Sequence, residues 1–354
     1  MESLRPREKN FLLPHCRQVV PIVIFDAGAA ISSLLSSPIG CKDESVNFHE
    51  NNPFAPHPNH SSVIGDLNTG LSFLESYKAL VKNEGDVLLP VPLGADKTTI
   101  DAHNRLSMKP LNFSLGIFKQ SVRCLPVAMR VLDYIYLQAT PDNDELVEDG
   151  LSTPDCKVLF PAKTTTKKAA YNLNDYHAQI EFILKGFKWI LNYRNRKIPV
   201  TFRMYVPFIV GDTEGHDRFC GHFTTRFPGI HELCRICECS TKKSGYFKSN
   251  FPYRLPSRVN RAVARYGTDA LHAMSQQKLI NGFRKVRFGS HNERGIFRAC
   301  PGEILHLVLI GWFKYCITSF SSQAGLKSKC IGQYDVLSAE IGKSLSRQSD
   351  RELP

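Results

Sequence analysis

The sequence predicts an α/β protein: a mixed sheet flanked by helices, with a cysteine-containing insertion and a poorly defined amino-terminal region. Three observations carry that expectation. Short runs of β-branched and aromatic residues recur along the chain, as strands require. Longer stretches between and after them carry apolar residues at helical spacing. The composition is that of a globular chain, 42% hydrophobic and 22% charged over 354 residues, which excludes wholesale disorder. Glycine and proline are scattered without a period and no heptads occur, so collagen-like and coiled-coil architectures are excluded. No run of 18 apolar residues exists, which excludes an apolar membrane-spanning helix. The apolar run at 19–25 is too short and too polar in its flanks for a signal peptide.

Taken in order, residues 1–18 read as a tail and 19–26 (VVPIVIFD) as a short buried strand. Residues 34–68, rich in Ser, Asn, His and Pro, read as a flexible loop. Residues 71–82 have helical spacing, which closes an amino-terminal region over 1–84. Residues 86–97 (DVLLPVPLGADK) form an apolar run whose Pro90 and Pro92 argue against a regular central strand. Residues 111–118 and 128–137 supply two more strands, which completes a meander of three segments. Residues 139–168 are polar and read as an insertion loop. Residues 174–193 show one apolar face and read as a helix, with Asp175 near its start. Residues 200–210 (VTFRMYVPFIV) make the strongest strand. An insertion spans about 220–285, with helical character over 257–283. A long apolar helix follows at 303–320, and another segment of helical character at 331–347.

Charge is unevenly spread. Residues 1–160 carry 14 Lys+Arg against 19 Asp+Glu, and residues 161–354 carry 31 against 14, within a formal net charge of +12. A basic half of that size suits a polyanion, most simply nucleic acid.

Three acids stand where elements begin or end. Asp96 closes the first apolar segment, Asp212 closes the strongest strand, and Glu303 opens the long helix. Acids at strand ends point to where ligands gather in α/β sheets. Three converging carboxylates make a site for two Mg2+ ions, which prefer hard oxygen ligands and clamp both oxygens of a phosphodiester displacement. Acids are also favoured at helix N-termini by the macrodipole, so helix capping competes with catalysis for Glu303. Asp101 competes with Asp96, and Glu214 and Asp217 with Asp212.

Three segments together resemble one family group. They are Gly94, Ala95, Asp96, Lys97 and Thr98 with the stretch that follows to Arg123 and Pro126; Gly211, Asp212 and Asp217 to Gly221 with His231, Cys234 and Cys237; and Pro301, Gly302 and Glu303 with His306. Over about residues 85–350 the chain resembles transposases of the Plavaka, Kyakuja–Dileera–Zisupton and CACTA-like group. The resemblance implies an RNase H-like catalytic core over 85–354 with an acidic triad of Asp96, Asp212 and Glu303 binding Mg2+ or Mn2+. It implies a DNA transposase acting by phosphodiester hydrolysis and strand transfer, with DNA as partner, a nuclear location, a homo-oligomeric form and no membrane. The chain is short for such a transposase and ends soon after the third acid, so the expectation is a core truncated at its C-terminus. No amino-terminal finger or helix-turn-helix is legible. The alternative is a catalytically dead DNA-binding protein, or a zinc-stapled interaction protein, of the same origin.

Eleven cysteines, an odd number, fit reduced thiols better than a disulfide scaffold. Cys234 and Cys237 have the spacing of half a zinc knuckle. Further ligands for a structural Zn2+ would come from Cys239, Cys220, His222, His231 or His291, and the competing reading is partly buried thiols. His306, three residues after Glu303, reads either as a core histidine or as a contact to metal-bound water or phosphate. Segments 242–261 and 284–298 interleave basic and aromatic residues, which suits phosphate contact and base stacking. The candidate DNA contacts are Lys242, Lys243, Arg254, Arg258, Arg284, Lys285 and Arg287.

Overall fold

The computed structural model describes residues 6–17, 19–46, 65–95, 98–99, 107–136, 165–195, 198–223, 230–232, 234–243, 250–265 and 267–302. The chain divides into two units, Met1–Pro301 and Gly302–Pro354. The first holds every strand and helix among the described residues.

Among the described residues there are ten strands and eight α-helices, two of them single turns. A hairpin comes first: β1 (Arg7–Leu12) pairs antiparallel with β2 (Val19–Ile24). The tail expected over 1–18 therefore contains a strand. Its residues REKNFL are almost wholly exposed, so hydrophobic patterning carries no trace of it; β2 holds it through backbone pairing. Helix α1 (Ala27–Leu35) follows, with Asp26 as its N-cap accepting from the Ala29 N–H at 2.8 Å. Helix α2 (Leu71–Leu80) matches the expected helix. It docks through Ser76, whose hydroxyl accepts from the Ser290 N–H at 2.9 Å.

The sheet is mixed, as expected. The apolar run after residue 85 gives β3 (Asp86–Pro90) and β4 (Leu93–Ala95), parted at Val91 and Pro92 as the prolines predict. The short β5 (Thr98–Thr99) and β4 both pair antiparallel with β6 (Ser107–Phe113), which pairs antiparallel with β7 (Arg130–Tyr136). A crossover through α3 (Thr165–Lys185) and the edge strand β8 (Ile190–Asn195) leads to β9 (Ile198–Tyr205) and β10 (Ile209–Val210). β9 runs parallel to β3, and β10 parallel to β4. The Val91 N–H donates to the Tyr205 carbonyl at 2.8 Å and the Leu93 N–H to the Phe208 carbonyl at 3.2 Å, so the pairing continues through the break.

Two expectations around α3 need correction. The helix expected over 174–193 ends at Lys185, and residues 190–193 belong to β8. Gly186 interrupts the periodic face, and Trp189, Ile190 and Tyr193 suit a strand better than a fifth helical turn. Asp175 lies inside the helix rather than at its start. Its buried carboxylate accepts from the backbone N–H groups of His15 and Cys16 at 2.9 and 3.2 Å, which ties the amino-terminal hairpin to α3.

One main core runs through the described unit. Ile22 and Ile31 from before residue 85 share it with Leu111, Phe113, Ile180, Phe202, Phe219 and Phe283. The remaining helices longer than a single turn are α4 (Thr213–Cys220), α5 (Pro256–Arg265) and α6 (Thr268–Ala273); Gln120–Arg123 and Ile296–Ala299 are single turns. Helical character expected over 257–283 thus stops at Ala273, and an irregular stretch follows. The segments at 303–320 and 331–347 and most of 34–68 lie outside the described residues. Among the described residues no helix is long and apolar enough to cross a membrane.

Candidate carboxylate site at the strand ends

The parallel pairing of β10 with β4 sets the site. Ile209 stands opposite Leu93 and Val210 opposite Gly94, so both strands finish at the same level. A Cβ on Gly211 would lie 3.1 Å from the Ala95 carbonyl oxygen, which shows how closely the two strand ends approach. The chain then turns into α4. Asp212 is the N-cap, with Oδ1 accepting from the Gly215 N–H at 2.6 Å. At the other end Gly221, at φ 65°, closes the helix in the left-handed conformation and returns its N–H to the Arg218 carbonyl.

Of the three expected acids, Asp212 is described and partly exposed; Asp96 and Glu303 lie outside the described residues, as do Asp101 and His306. The two competitors of Asp212 are engaged elsewhere. Glu214 is exposed and pairs with Arg218 at 2.6 Å. Asp217 points into the protein, where Arg235 Nη1 meets Oδ1 at 2.9 Å. Burial pushes Asp217 up to about 6 against the pull of Arg235. Beside it, the His216 ring bonds the Ile209 carbonyl at 2.9 Å, and burial together with Arg235 pushes it down to about 4.

Sequence reasoning missed Lys109, which β6 carries to the same place. Lys109 is 4% exposed. Its Nζ lies 4.8 Å from the Phe219 ring centre and 5.6 Å from that of Tyr176. The available signal was phase: Lys109, Leu111 and Phe113 alternate along one strand, so the lysine falls on the buried face.

The cysteines separate into two pairs. Cys220 and Cys300 are both buried and lie close together; the Cys220 thiol donates to the Ile296 carbonyl at 3.9 Å, and burial beside Cys220 holds Cys300 far above its ordinary value. Cys220 therefore faces Cys300 rather than the expected zinc ligands. Cys234 and Cys237 form the second pair, and the Cys234 sulfur also accepts from the Ile236 N–H at 3.4 Å. Burial and the neighbouring Cys234 push Cys237 up to about 11. The Cys239 thiol turns to the Ser240 carbonyl at 3.6 Å. His222 bonds the Phe223 and Glu232 carbonyls. Among the described residues no group of three or more His, Cys, Asp or Glu side chains is arranged to hold a metal ion. Among the described residues, the fit to zinc stops at two thiols. For Mg2+, Asp212 supplies a hard oxygen donor of the right kind, already oriented by its cap.

The expected phosphate contacts divide by exposure. Lys242, Lys243 and Arg287 are exposed. Arg258 is exposed and paired with Glu238. Arg284 and Lys285 share Glu181 at 2.7 and 3.0 Å and stay partly open to solvent. Arg254 differs: it is 1% exposed. Its guanidinium pairs with Glu232 at 2.8 Å and donates to the carbonyls of Cys234 and Met274 at 2.7 and 2.6 Å. Arg254 is thus committed inside the insertion, where no phosphate reaches it. Arg261 and Arg265, outside the expected set, stand exposed on α5 with Arg258, opposite the buried Val259 and Ala262.

Comparison with protein-family models gives no match, and comparison with curated protein sequences gives none either.

Proposed function

We propose that the chain is the RNase H-like core of a DNA transposase of the Plavaka, Kyakuja–Dileera–Zisupton and CACTA-like group, or a descendant of one. Its reaction is metal-dependent hydrolysis of a DNA strand followed by strand transfer. One observation carries the reading: two parallel strands end side by side, and an acid closes each, Asp212 after β10 and Asp96 next in the chain after β4. An antiparallel meander on one side of β4 and a helical crossover to its parallel partner on the other supply the mixed sheet such a core requires. Glu303 is the proposed third acid.

Two Mg2+ or Mn2+ ions at this site would stabilise the attacking and leaving oxygens of the phosphodiester. The part of Asp212 is to present a carboxylate whose orientation is already fixed by the Gly215 N–H. The exposed cations Lys242, Lys243, Arg258, Arg284, Lys285 and Arg287 are proposed to hold the phosphate backbone. Nuclear location and self-association belong to the same proposal.

The test is nicking of supercoiled plasmid with Mg2+ or Mn2+ by wild type, Asp212→Asn and Glu303→Ala. Asparagine keeps the helix cap while weakening the metal ligand. Metal-dependent nicking lost in both variants is the expected result. Nicking that survives in both overturns the assignment of the acids. Salt-sensitive DNA binding without nicking by any protein favours the non-catalytic alternative.

A further inference from the structure

Away from the carboxylate site, α5 and the chain from 276 to 297 enclose an apolar pocket of about 80 Å3. Val259 from α5 meets Leu279, Phe283, Phe288, Ile296 and Phe297 there, and all six are buried. Polar side chains gather at the rim. Two of them hold the wall. Asn281 Nδ2 donates to the Phe219 carbonyl at 2.8 Å while its Oδ1 accepts from the Phe283 N–H at 2.9 Å, and Asn292 Oδ1 accepts from the Phe288 N–H at 2.6 Å. Asn260 and Gln277 have no such task. Neither side-chain amide makes a hydrogen bond among the described residues, although both line the pocket. Cations flank the opening. Arg258, Arg261 and Arg265 form one exposed stripe on α5, and Arg284 lines the pocket with Lys285 and Arg287 beside it in the chain. Glu238 answers Arg258, and Glu181 answers Arg284 and Lys285. Arg261, Arg265 and Arg287 make no ion pair among the described residues.

We propose that this pocket takes an unpaired pyrimidine base of a DNA strand, read by the amides of Asn260 and Gln277, with the strand's phosphates on the cations beside it. The inference rests on the DNA-binding part of the reading given above. Each part of the ligand answers one part of the site. The volume is near that of a single six-membered ring, so a pyrimidine enters and the fused rings of a purine do not. The apolar floor with its phenylalanines suits the face and edge of such a ring. A side-chain amide sets a donor next to an acceptor, the same pattern that a pyrimidine carries along its pairing edge. In a duplex that edge is already paired, so the base must be unpaired to be read. Sugar and phosphate stay outside, where Arg261, Arg265 and Arg287 are open to them. An aliphatic side chain of a protein partner would fill the floor and leave both amides and the cations unanswered.

The experiment is fluorescence anisotropy of a labelled oligothymidylate, an oligoadenylate of the same length and a mixed-sequence duplex, each titrated with the full chain. It compares wild type with the double variant Asn260→Leu and Gln277→Leu, and with Arg261→Gln. Leucine keeps the bulk of each amide and removes its hydrogen bonds; thermal unfolding establishes that each variant keeps its fold. Wild type should prefer oligothymidylate to oligoadenylate. The double variant should weaken oligothymidylate binding by about tenfold and leave duplex binding and the salt slope unchanged. Arg261→Gln should instead lower the salt slope for every nucleic acid. An oligonucleotide carrying iodinated uracil should crosslink to wild type on irradiation within residues 276–297, and adducts confined to other segments overturn the proposal. So does a double variant that binds oligothymidylate as wild type does, or that loses duplex binding equally; metal-dependent nicking retained by wild type then leaves the reading above standing. Displacement of the oligothymidylate by thymidine monophosphate at an equal concentration of bases also overturns it, because free nucleotide would then be the ligand. No binding to any nucleic acid overturns both.

Discussion

Replacing His177 with glutamine should flatten the response of stability to acid. His177 lies on α3, is 1% exposed, and joins two other segments. The Gly282 N–H donates to Nδ1 at 3.1 Å, and Nε2 bonds the Arg218 carbonyl at 2.9 Å. Nδ1 must therefore be bare and Nε2 protonated, the neutral imidazole. A second proton would set an N–H against the Gly282 N–H in a fully buried site. Burial accordingly pushes His177 down to about 4, from an ordinary value near 6.5. Between those values the unfolded chain binds a proton that the folded chain refuses. The stabilisation is thus fully present above pH 6.5 and is lost as pH falls through 4. At about 1.36 kcal/mol for each pH unit between the two values, the loss from pH 7 to 4.5 is about 2.5 kcal/mol from this residue. Glutamine can donate and accept in the same two places, at a cost of about 1 to 2 kcal/mol at pH 7 for imperfect geometry. It takes up no proton. Urea unfolding followed by tryptophan fluorescence at pH 7 and 4.5 should show the variant weaker at pH 7 and equal to or firmer than wild type at pH 4.5. His216 and His222 titrate in both proteins and cancel. A stability gap that is the same at both pH values would refute the reasoning.

Two further outcomes are expected. Asp212→Ala should lower stability by about 1 kcal/mol, because Gly215 loses its cap acceptor, while Asp212→Asn should match wild type in thermal unfolding. Arg254→Met should cost about 3 to 5 kcal/mol in urea unfolding, because Glu232 is left without its partner, and Glu232→Gln in the same chain should recover most of that loss.

Local pattern carries most of the strands. The runs at 19–26, 86–97, 128–137 and 200–210 each hold a strand or two, because β-branched residues between turn signals express burial directly. β1 is invisible in the sequence because its side chains are exposed and its partner supplies only backbone bonds. The end of α3 is obscured because 187, 190 and 191 continue a helical phase by coincidence while belonging to a turn and an edge strand. Asp212 is legible as an acid after a strand, but its capping role depends on α4 opening at the next residue. Arg254 reads as a surface cation because sequence records charge and not depth; only its enclosure beside Glu232 distinguishes it from Lys242 and Lys243. Lys109 escapes notice for the converse reason, a charge in phase with an apolar face.

The parallel pairing that levels the ends of β4 and β10 also dictates an order of assembly. β4 meets β6 after a short excursion, whereas Asp86 waits more than a hundred residues for Thr201. Closing so long a loop is slow, because its entropy is lost before the contact is gained. During synthesis the meander can form early, yet its open side stays without a partner until β9 and β10 are made. The ends of β4 and β10 are therefore brought level late, by the step that also covers the exposed strand edge.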